Sequence, residues 1–399
     1  MKSNRIMQAA CCMCLATTAL VNGFAPLLFV TFENYYGMTR ENLAALIALN
    51  FMTQVATALL MSKVIDRLGY KISSAAGLIF VAAGLFGLAV LPYAMPAFSG
   101  IFAAVALYAL GSGILNITIN PVVNQCIREE SSRSLLFSSY CWGFVAVILL
   151  STLFFHIFGT ANWRILACLW IIVPLSCLIL FLLSPIASPV NRGGGGAEKP
   201  VLPLKALLSQ SVFICVALAM LCAGAAEHAM SQWASMFAEV GLNVSKTAGD
   251  LAGPTLFAVL MGVSRILYPV ISRKISLEKY MLASGVLCVS GYLLAAFAPT
   301  PALAFIGCGV CGFAAGIFWP GTISLASKRF PGAGTAMFAA LSLTGNIGGA
   351  AGPAVVGVIL ERAQSFSVAL AVVSLFPFIL AVCVAYYMRD GKINKKMSP

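Results

Sequence analysis

The 399-residue chain is 61% hydrophobic and only 9% charged, with a mean hydropathy of +0.97. Soluble domains hold about 45–50% apolar and about 25% charged residues, so this composition excludes a soluble globular protein and indicates an integral membrane protein. The formal net charge is +12, but the Lys and Arg residues lie between apolar stretches, which argues against a nucleic-acid-binding protein.

Apolar stretches long enough to cross a hydrocarbon core of ~30 Å recur along the whole chain. The first, 6–30, is longer than the ~7–15-residue core of a signal peptide and lacks a small-residue cleavage site, so we interpret it as a membrane span. Glycines, prolines and charge clusters divide the sequence into twelve predicted spans, at 6–30, 42–62, 72–92, 97–122, 134–158, 164–185, 209–235, 249–272, 279–297, 300–325, 333–359 and 366–388. The predicted fold class is therefore an all-α membrane protein with 12 transmembrane helices.

The sequence divides into two similar halves. We predict an N-terminal six-helix bundle over 1–187, a cytoplasmic linker over 188–205 that contains four glycines at 193–196, and a C-terminal six-helix bundle over 206–399. The motif V-I-D-R at 64–67 recurs as V-I-S-R at 270–273, and Gly113 with Pro121 recurs as Gly312 with Pro320. Duplicated halves of this kind are typical of transporters whose solute site lies between the halves and opens to each side in turn.

The distribution of Lys and Arg predicts the orientation, because cytoplasmic loops retain positive charge during membrane insertion. With a cytoplasmic N-terminus, 19 of the 24 Lys and Arg residues fall on the cytoplasmic side and 4 on the other. An odd number of spans would remove this asymmetry. We therefore expect both termini in the cytoplasm and a multi-pass monomer in the cell inner membrane.

The loop after span 2 carries a motif. The segment S-K-V-I-D-R-L-G-Y-K at 62–71 resembles the G-x-x-x-D-R-x-G-x-[RK] signature of the major facilitator superfamily, with Ser62 in place of the first glycine. A carboxylate at a helix end can pair with helix N-termini and basic side chains in one conformation and release them in another. The gating residues that this motif predicts are Asp66, Arg67, Gly69 and Lys71.

Motifs in spans 4 and 7 resemble those of one particular family within this superfamily. The segment G-S-G-I-L-N-I-T-I-N-P at 111–121 resembles the G-x-G-x-x-E-x-x-x-N-P segment of the fucose/proton symporter family, and Glu227 with Trp233 is similar to that family's E-x5-W pattern. The resemblance implies transport of a sugar with protons. Where the family carries a protonatable Glu in span 4, this chain has Asn116, so a relocated proton site and an uncoupled uniporter both stay open.

Polar residues inside a span are functional candidates, because the membrane normally excludes them. Asn116, Asn120 and Asn124 recur every fourth residue and form one stripe, and carboxamides offer the paired donors and acceptors that suit sugar hydroxyls. Hydrogen bonding between helices is the alternative role. Trp233 and Trp319 provide ring faces for a sugar, or else anchors at the membrane surface. The predicted solute-binding residues are Asn22, Asn50, Gln54, Asn116, Asn120, Asn124, Trp233, Trp319 and Asn346.

Of the 12 acidic residues, Glu227 alone lies well inside a predicted span, so we predict it as the proton-coupling residue. Arg265, the one basic residue within a span, is predicted to act in gating. The 13 cysteines and two histidines lie in apolar surroundings or lack a second ligand at helical spacing, and we expect no metal site and no cofactor.

The sequence predicts a secondary active transporter that moves a small polar solute, a sugar above all, together with protons. A proton-linked drug exporter or an organic-anion carrier on the same fold is the alternative. The chain contains no G-x-x-x-x-G-K-[ST] motif of an ATP-driven pump, and no nucleophile and base are grouped as an enzyme would require.

Overall fold

A computed structural model of the chain describes residues 2–126, 136–186, 204–330 and 333–397. These residues are almost entirely helical, and 12 helical segments are long and apolar enough to cross a membrane. In chain order, spans 1–12 are Arg5–Tyr36, Arg40–Met61, Tyr70–Ala94, Ala97–Val123, Ser139–Phe158, Thr160–Leu183, Ser211–Gly241, Lys246–Ile271, Leu277–Phe297, Pro301–Arg329, Met337–Ala363 and Phe366–Asp390. Each overlaps its predicted segment, which confirms the all-α membrane fold.

Several spans consist of more than one helix. The α-helices are Lys2–Gly23, Phe29–Tyr36, Arg40–Leu68, Tyr70–Ala94, Ala97–Cys126, Ser139–Phe158, Trp163–Trp170, Ile172–Leu183, Leu204–Leu208, Ser211–Met236, Lys246–Ala252, Pro254–Ile271, Leu277–Phe297, Pro301–Ala315, Phe318–Arg329, Gly334–Ala363, Phe366–Val373 and Leu375–Met397. The 3-10 turn Ala25–Leu28 interrupts span 1, the 3-10 turn Thr160–Asn162 begins span 6, and the π-helical turn Phe237–Gly241 ends span 7.

Local sequence explains where the helices break and turn. Span 1 breaks directly after Gly23, where Pro26 has no N–H to donate into a regular helix. Between spans 2 and 3 the backbone reverses at Gly69, whose φ of 83° is accessible to glycine at little cost. The Thr39 side chain accepts a hydrogen bond from the backbone N–H of Asn42 and so caps the start of span 2.

Glycines allow neighbouring spans to approach closely in both halves of the sequence. A Cβ atom added at Gly77 in span 3 would lie 3.0 Å from the carbonyl oxygen of Gly111 in span 4. In the second half, a Cβ atom at Gly307 in span 10 would lie 2.7 Å from the carbonyl oxygen of Gly291 in span 9. In lipid the hydrophobic effect does not drive helices together, and close packing at small residues drives their association instead. The same device in both halves agrees with their predicted similarity.

The contacts divide the chain into two compact units. Unit 1 comprises Met1–Gly194 and Ser235–Val259, and unit 2 comprises Gly195–Ala234 and Leu260–Pro399. The end of span 7 and the start of span 8 therefore pack with the first six spans. The predicted linker, 188–205, lies outside the described residues as far as 203, and the boundaries predicted for the two bundles stay a prediction.

Candidate functional site

A cluster of buried carboxamides joins three spans of unit 1. Asn50 Nδ2 and Gln54 Nε2 each donate to Asn22 Oδ1 at 3.0 Å, and Gln54 Nε2 also donates to Asn50 Oδ1 at 3.1 Å. Asn116 Nδ2 in span 4 donates to Gln54 Oε1 at 2.9 Å. The helical spacing of Asn50 and Gln54 places both on one face of span 2, toward Asn22 of span 1. The structure thus brings together four of the predicted solute-binding residues.

The amide cluster has a buried centre and two less buried ends. Gln54 is 2% exposed, and its donors and its acceptor are all engaged within the cluster. Asn116 is half-buried, and its Oδ1 atom takes part in none of these bonds. At the other end Asn22 Nδ2 donates to the hydroxyl of Tyr140 in span 5 at 3.3 Å. Asn116 is therefore the amide best placed to exchange hydrogen bonds with a solute.

Tyr140 is a member of the cluster that sequence reasoning missed. It lies in the first turn of span 5, and the amide spacing that identified the other members carries no information about a tyrosine. Its position depends on Gly23, since a Cβ atom added there would lie 2.8 Å from the ring of Phe144. Phe144 follows Tyr140 by one helical turn, so the same close approach brings the Tyr140 hydroxyl to Asn22.

Close packing also places Asn116. A Cβ atom added at Gly113 in span 4 would lie 2.7 Å from Thr57 Cβ and 3.0 Å from Gln54 Cα in span 2. Asn116 follows Gly113 by about one helical turn, so this approach brings its amide within reach of Gln54. The side chains of Asn120 and Asn124, the other members of the predicted stripe, lie outside the described part of the chain.

Two polar groups in unit 2 are buried without a hydrogen-bond partner among the described residues. One is Oε2 of Glu227, a residue that is 4% exposed, and the other is the indole N–H of Trp319. The Trp319 ring packs on Gly345 in span 11, where a Cβ atom would lie 2.5 Å from it. Asn346 is the next residue and is half-buried. A buried polar atom without a partner costs free energy, so each of these two groups is a candidate for binding a ligand.

Trp233 is engaged differently from Trp319. It is 1% exposed, and its indole N–H donates to the carbonyl oxygen of Pro353 in span 11 at 3.0 Å. The donor is therefore already used in packing span 7 against span 11. A solute-binding role for Trp233 stays a prediction.

Arg265 reaches the helix break in span 10. Its Nε donates to the carbonyl oxygen of Gly316 at 3.3 Å. In a regular helix the N–H of residue 320 would donate to that oxygen, but Pro320 has no N–H. Arg265 thus supplies the missing donor at the break between Pro301–Ala315 and Phe318–Arg329, which suits the gating role predicted for it.

The predicted gating motif is described in part. Gly69 forms the turn between spans 2 and 3, and Lys71 Nζ donates to the carbonyl oxygen of Ser184 at the end of span 6, at 3.2 Å. Arg67 is exposed. The side chain of Asp66 lies outside the described residues, so its gating role stays a prediction.

Sequence reasoning also missed a charged cluster in unit 1, where span 5 meets the end of span 7 and the start of span 8. Lys246 Nζ lies 3.0 Å from Glu239 Oε1 and 2.9 Å from Asp250 Oδ2, and Asp250 is 0% exposed. The sequence places these three residues at span ends, where charges are ordinarily solvated. The spacing of Lys246 and Asp250 by four residues was the available signal, since such a pair lies on one helix face.

Among the described residues, no three His, Cys, Asp or Glu side chains lie close enough together to hold a metal ion. Most of the described cysteines are buried thiols, including Cys11, Cys14, Cys308 and Cys311. Their surroundings are those of core packing.

Comparisons with known proteins agree with this fold. The profile of the Major Facilitator Superfamily matches residues 9–337 and 254–398, whereas no curated protein sequence matches. The transporter FucP in its outward conformation is 18% identical, with 96% of this chain and 99% of that chain covered and a TM-score of 0.67. A single-substitution variant of the E. coli fucose:proton symporter FucP is 17% identical, with 96% and 99% covered and a TM-score of 0.64. The nucleoside transporter NupG is 14% identical, with 97% and 99% covered and a TM-score of 0.74. At these identities the structural likeness shows the fold alone.

Proposed function

This chain belongs to the major facilitator superfamily, and we propose that within this family it carries a sugar across the membrane by proton symport. The family makes the protein a membrane transporter of small molecules rather than an enzyme. The sugar and the coupling to protons are the proposed part.

The observation that carries the proposal is the amide cluster of Asn22, Asn50, Gln54 and Asn116. A sugar hydroxyl both donates and accepts hydrogen bonds, and a carboxamide offers both functions within one planar group. The Oδ1 atom of Asn116 takes part in none of the cluster's hydrogen bonds, while the bond from its Nδ2 to Gln54 orients the amide. A cluster with no formal charge also suits a neutral solute better than an anion or a cationic drug.

Glu227 supports coupling to protons. It is a carboxylic acid inside span 7 with one buried oxygen that has no partner among the described residues. A carboxyl group in such surroundings is the group type that transporters use to take up and release protons. Asn116 occupies the position at which similar symporters carry an acid, so we place proton transfer on span 7 instead.

The proposal includes location and orientation. We place the protein as a monomer in the cell inner membrane with both termini in the cytoplasm, which agrees with 19 of the 24 basic residues lying on one side of the predicted topology.

A nucleoside is the second candidate solute. The nucleoside transporter NupG shares the fold with a TM-score of 0.74. Carboxamides form paired hydrogen bonds with base edges as well as with ribose hydroxyls. The same cluster therefore suits either solute, and a direct comparison of the two decides between them.

The test uses purified full-length protein in proteoliposomes and records solid-supported-membrane currents while hexoses, polyols, nucleosides and organic acids are added. We expect a hexose to evoke a current that Glu227→Gln abolishes while sugar binding is retained. The control is Glu41→Gln, which removes an exposed carboxylate in the first turn of span 2.

A nucleoside current without a sugar current would replace the leading solute by the second. A response only to organic acids or cationic drugs would overturn both, and would leave the amide cluster a packing device. A sugar current of the same size in Glu227→Gln would show that Glu227 is not the proton-coupling residue.

A further inference from the structure

The charged cluster at the meeting point of spans 5, 7 and 8 joins segments that are far apart in sequence. We call it the latch cluster and define it as Thr152, Ser235, Glu239, Lys246 and Asp250. Thr152 comes from span 5, in the first half of the sequence, and the other four come from spans 7 and 8, in the second half. All five belong to unit 1.

Asp250 is the centre of the latch cluster. Its Oδ1 accepts hydrogen bonds from Ser235 Oγ at 2.5 Å and from Lys246 Nζ at 3.2 Å, and its Oδ2 accepts one from Thr152 Oγ1 at 3.2 Å. Lys246 also donates to Glu239 at 3.0 Å and to Ser235 at 3.1 Å. The carboxylate of Asp250 is thus the hydrogen-bonded connection between span 5 and the second half of the sequence.

The charges of the latch cluster do not balance. Two carboxylates, Glu239 and Asp250, share one ammonium group, that of Lys246, so the ionised cluster carries one negative charge in excess. Asp250 is fully buried, and Glu239 and Lys246 are largely so. Burial of an excess charge is costly, and one added proton removes it. The Lys246 ammonium already occupies the position between the carboxylates that a metal cation would take, so a proton is the ligand that fits.

The backbone conformation at the latch cluster also indicates a functional site. Span 7 ends in the π-helical turn Phe237–Gly241, which contains Glu239. Such turns are rare and occur frequently at functional sites, because the wider turn redirects side chains. Span 8 begins with the helix Lys246–Ala252, whose first turn and following turn supply Lys246 and Asp250 on one face.

We propose that the latch cluster is a second proton-binding site, which holds span 5 to spans 7 and 8 when one carboxylate carries a proton and releases it when both carboxylates are ionised. With the added proton on Glu239, Asp250 remains a carboxylate and keeps the hydrogen bond from Thr152, which is about twice as strong as one to a neutral acid. In this family the halves move against each other during alternating access, which requires contacts between them to break in each cycle. The proposal rests on the proposed function only in that a proton is the coupling ion.

The titratable and charged groups near Asp250 are limited in the described structure. Glu239 and Lys246 contact the cluster directly, and Lys246 also lies 5.8 Å from the centre of the Phe155 ring in span 5. His156 in span 5 lies 3.4 Å from Thr247 Oγ1 and is exposed. His156 is a further ionisable side chain on span 5, so the experiment must separate it from the carboxylates.

The experiment is hydrogen exchange with mass spectrometry on purified full-length protein in detergent between pH 5.5 and 8, with rates corrected for intrinsic exchange. We expect peptides covering 235–252 and the end of span 5 to exchange about tenfold faster at the alkaline end than at the acidic end. Glu239→Gln, which leaves one carboxylate for one ammonium, should exchange slowly at every pH. Glu41→Gln and His156→Gln should keep the wild-type pH response.

Asp250→Asn removes the carboxylate that accepts the hydrogen bond from Thr152 and should exchange fast at every pH. A pH-independent wild type would overturn the proposal, as would a normal pH response in Glu239→Gln or loss of the response in His156→Gln. The readout needs no solute, so it is independent of the transport assay. If no sugar or nucleoside is transported but the exchange follows this pattern, the proposed solute is wrong and the proton site in the latch cluster stands.

Discussion

Replacing Gln54 by Leu tests whether the amide cluster is an interacting unit. Leu has a side chain of similar size but no polar group, so it removes three hydrogen bonds, to Asn22 at 3.0 Å, to Asn50 at 3.1 Å and from Asn116 at 2.9 Å. Hydrogen bonds between helices of membrane proteins contribute about 0.6 kcal/mol each on average. Gln54→Leu should therefore lower the free energy of unfolding by about 2 kcal/mol.

The same substitution should weaken solute binding, because Asn116 loses the partner that orients its amide. One hydrogen bond to the solute contributes about 1 kcal/mol, which corresponds to a roughly fivefold higher Kd. The change in Kd distinguishes solute binding from helix packing as the role of the cluster. A cluster that only packs the helices loses stability on Gln54→Leu but binds solute as before.

The assay combines denaturant unfolding in detergent micelles with solute-binding titrations. Asn34→Leu is the control, since it removes an exposed amide at the end of span 1. A double-mutant cycle with Asn116→Leu should show a coupling of about 0.6 kcal/mol between positions 54 and 116. Unchanged stability in Gln54→Leu, or full additivity with Asn116→Leu, would refute the reasoning.

Two further predictions concern unit 2. Arg265→Ala should lower the free energy of unfolding by about 1 kcal/mol, because the carbonyl oxygen of Gly316 loses its donor. A second substitution, Pro320→Ala, should restore most of this loss, because it returns a backbone N–H. Thermal melts of the single and double variants check this, and an absence of rescue contradicts it. Gly224→Ala should lower the melting temperature strongly, since its Cβ would collide with the backbone of span 11. Gly87→Ala should be tolerated, because its Cβ would meet side-chain atoms only, Leu91 at 3.2 Å and Ala104 at 3.6 Å.

The fold was predictable from sequence because the bilayer restricts the choice of structure. A backbone segment in hydrocarbon must satisfy its own hydrogen bonds, so an apolar stretch of about 20 residues has one common solution, the helix. The breaks inside spans were harder to place. Pro26 and Pro320 mark two of them, but Pro121, Pro92 and Pro353 lie inside helices that continue past them.

The amide cluster was predictable in part. Helical spacing identifies Asn50 and Gln54 as neighbours on one face, but which span that face meets is a tertiary fact. The approach of Phe144 to Gly23, which brings Tyr140 to Asn22, leaves no periodic signal in the sequence. Trp233 and Trp319 show the same limit, since sequence assigned both to the solute and the structure engages the N–H of Trp233 with Pro353.

The latch cluster shows most clearly what sequence analysis cannot reach. Hydropathy places Glu239, Lys246 and Asp250 at span ends, where water is expected, and most of the charged residues that the structure describes are at least partly exposed. Burial of Asp250 arises because span 5 covers the start of span 8, with Thr152 against the carboxylate. A contact of that kind depends on how helices from opposite halves pack.

By itself, the sequence determined the membrane environment, the number of spans, the resemblance between its halves and the polar residues worth testing, because these follow from composition and from helical periodicity. Only the tertiary structure decided which polar groups meet. Whether an amide binds another amide, whether an acid is solvated or shares a buried ammonium, and whether an arginine reaches a freed carbonyl all depend on distances between spans. Those distances are set by close packing of small residues rather than by any pattern along the chain.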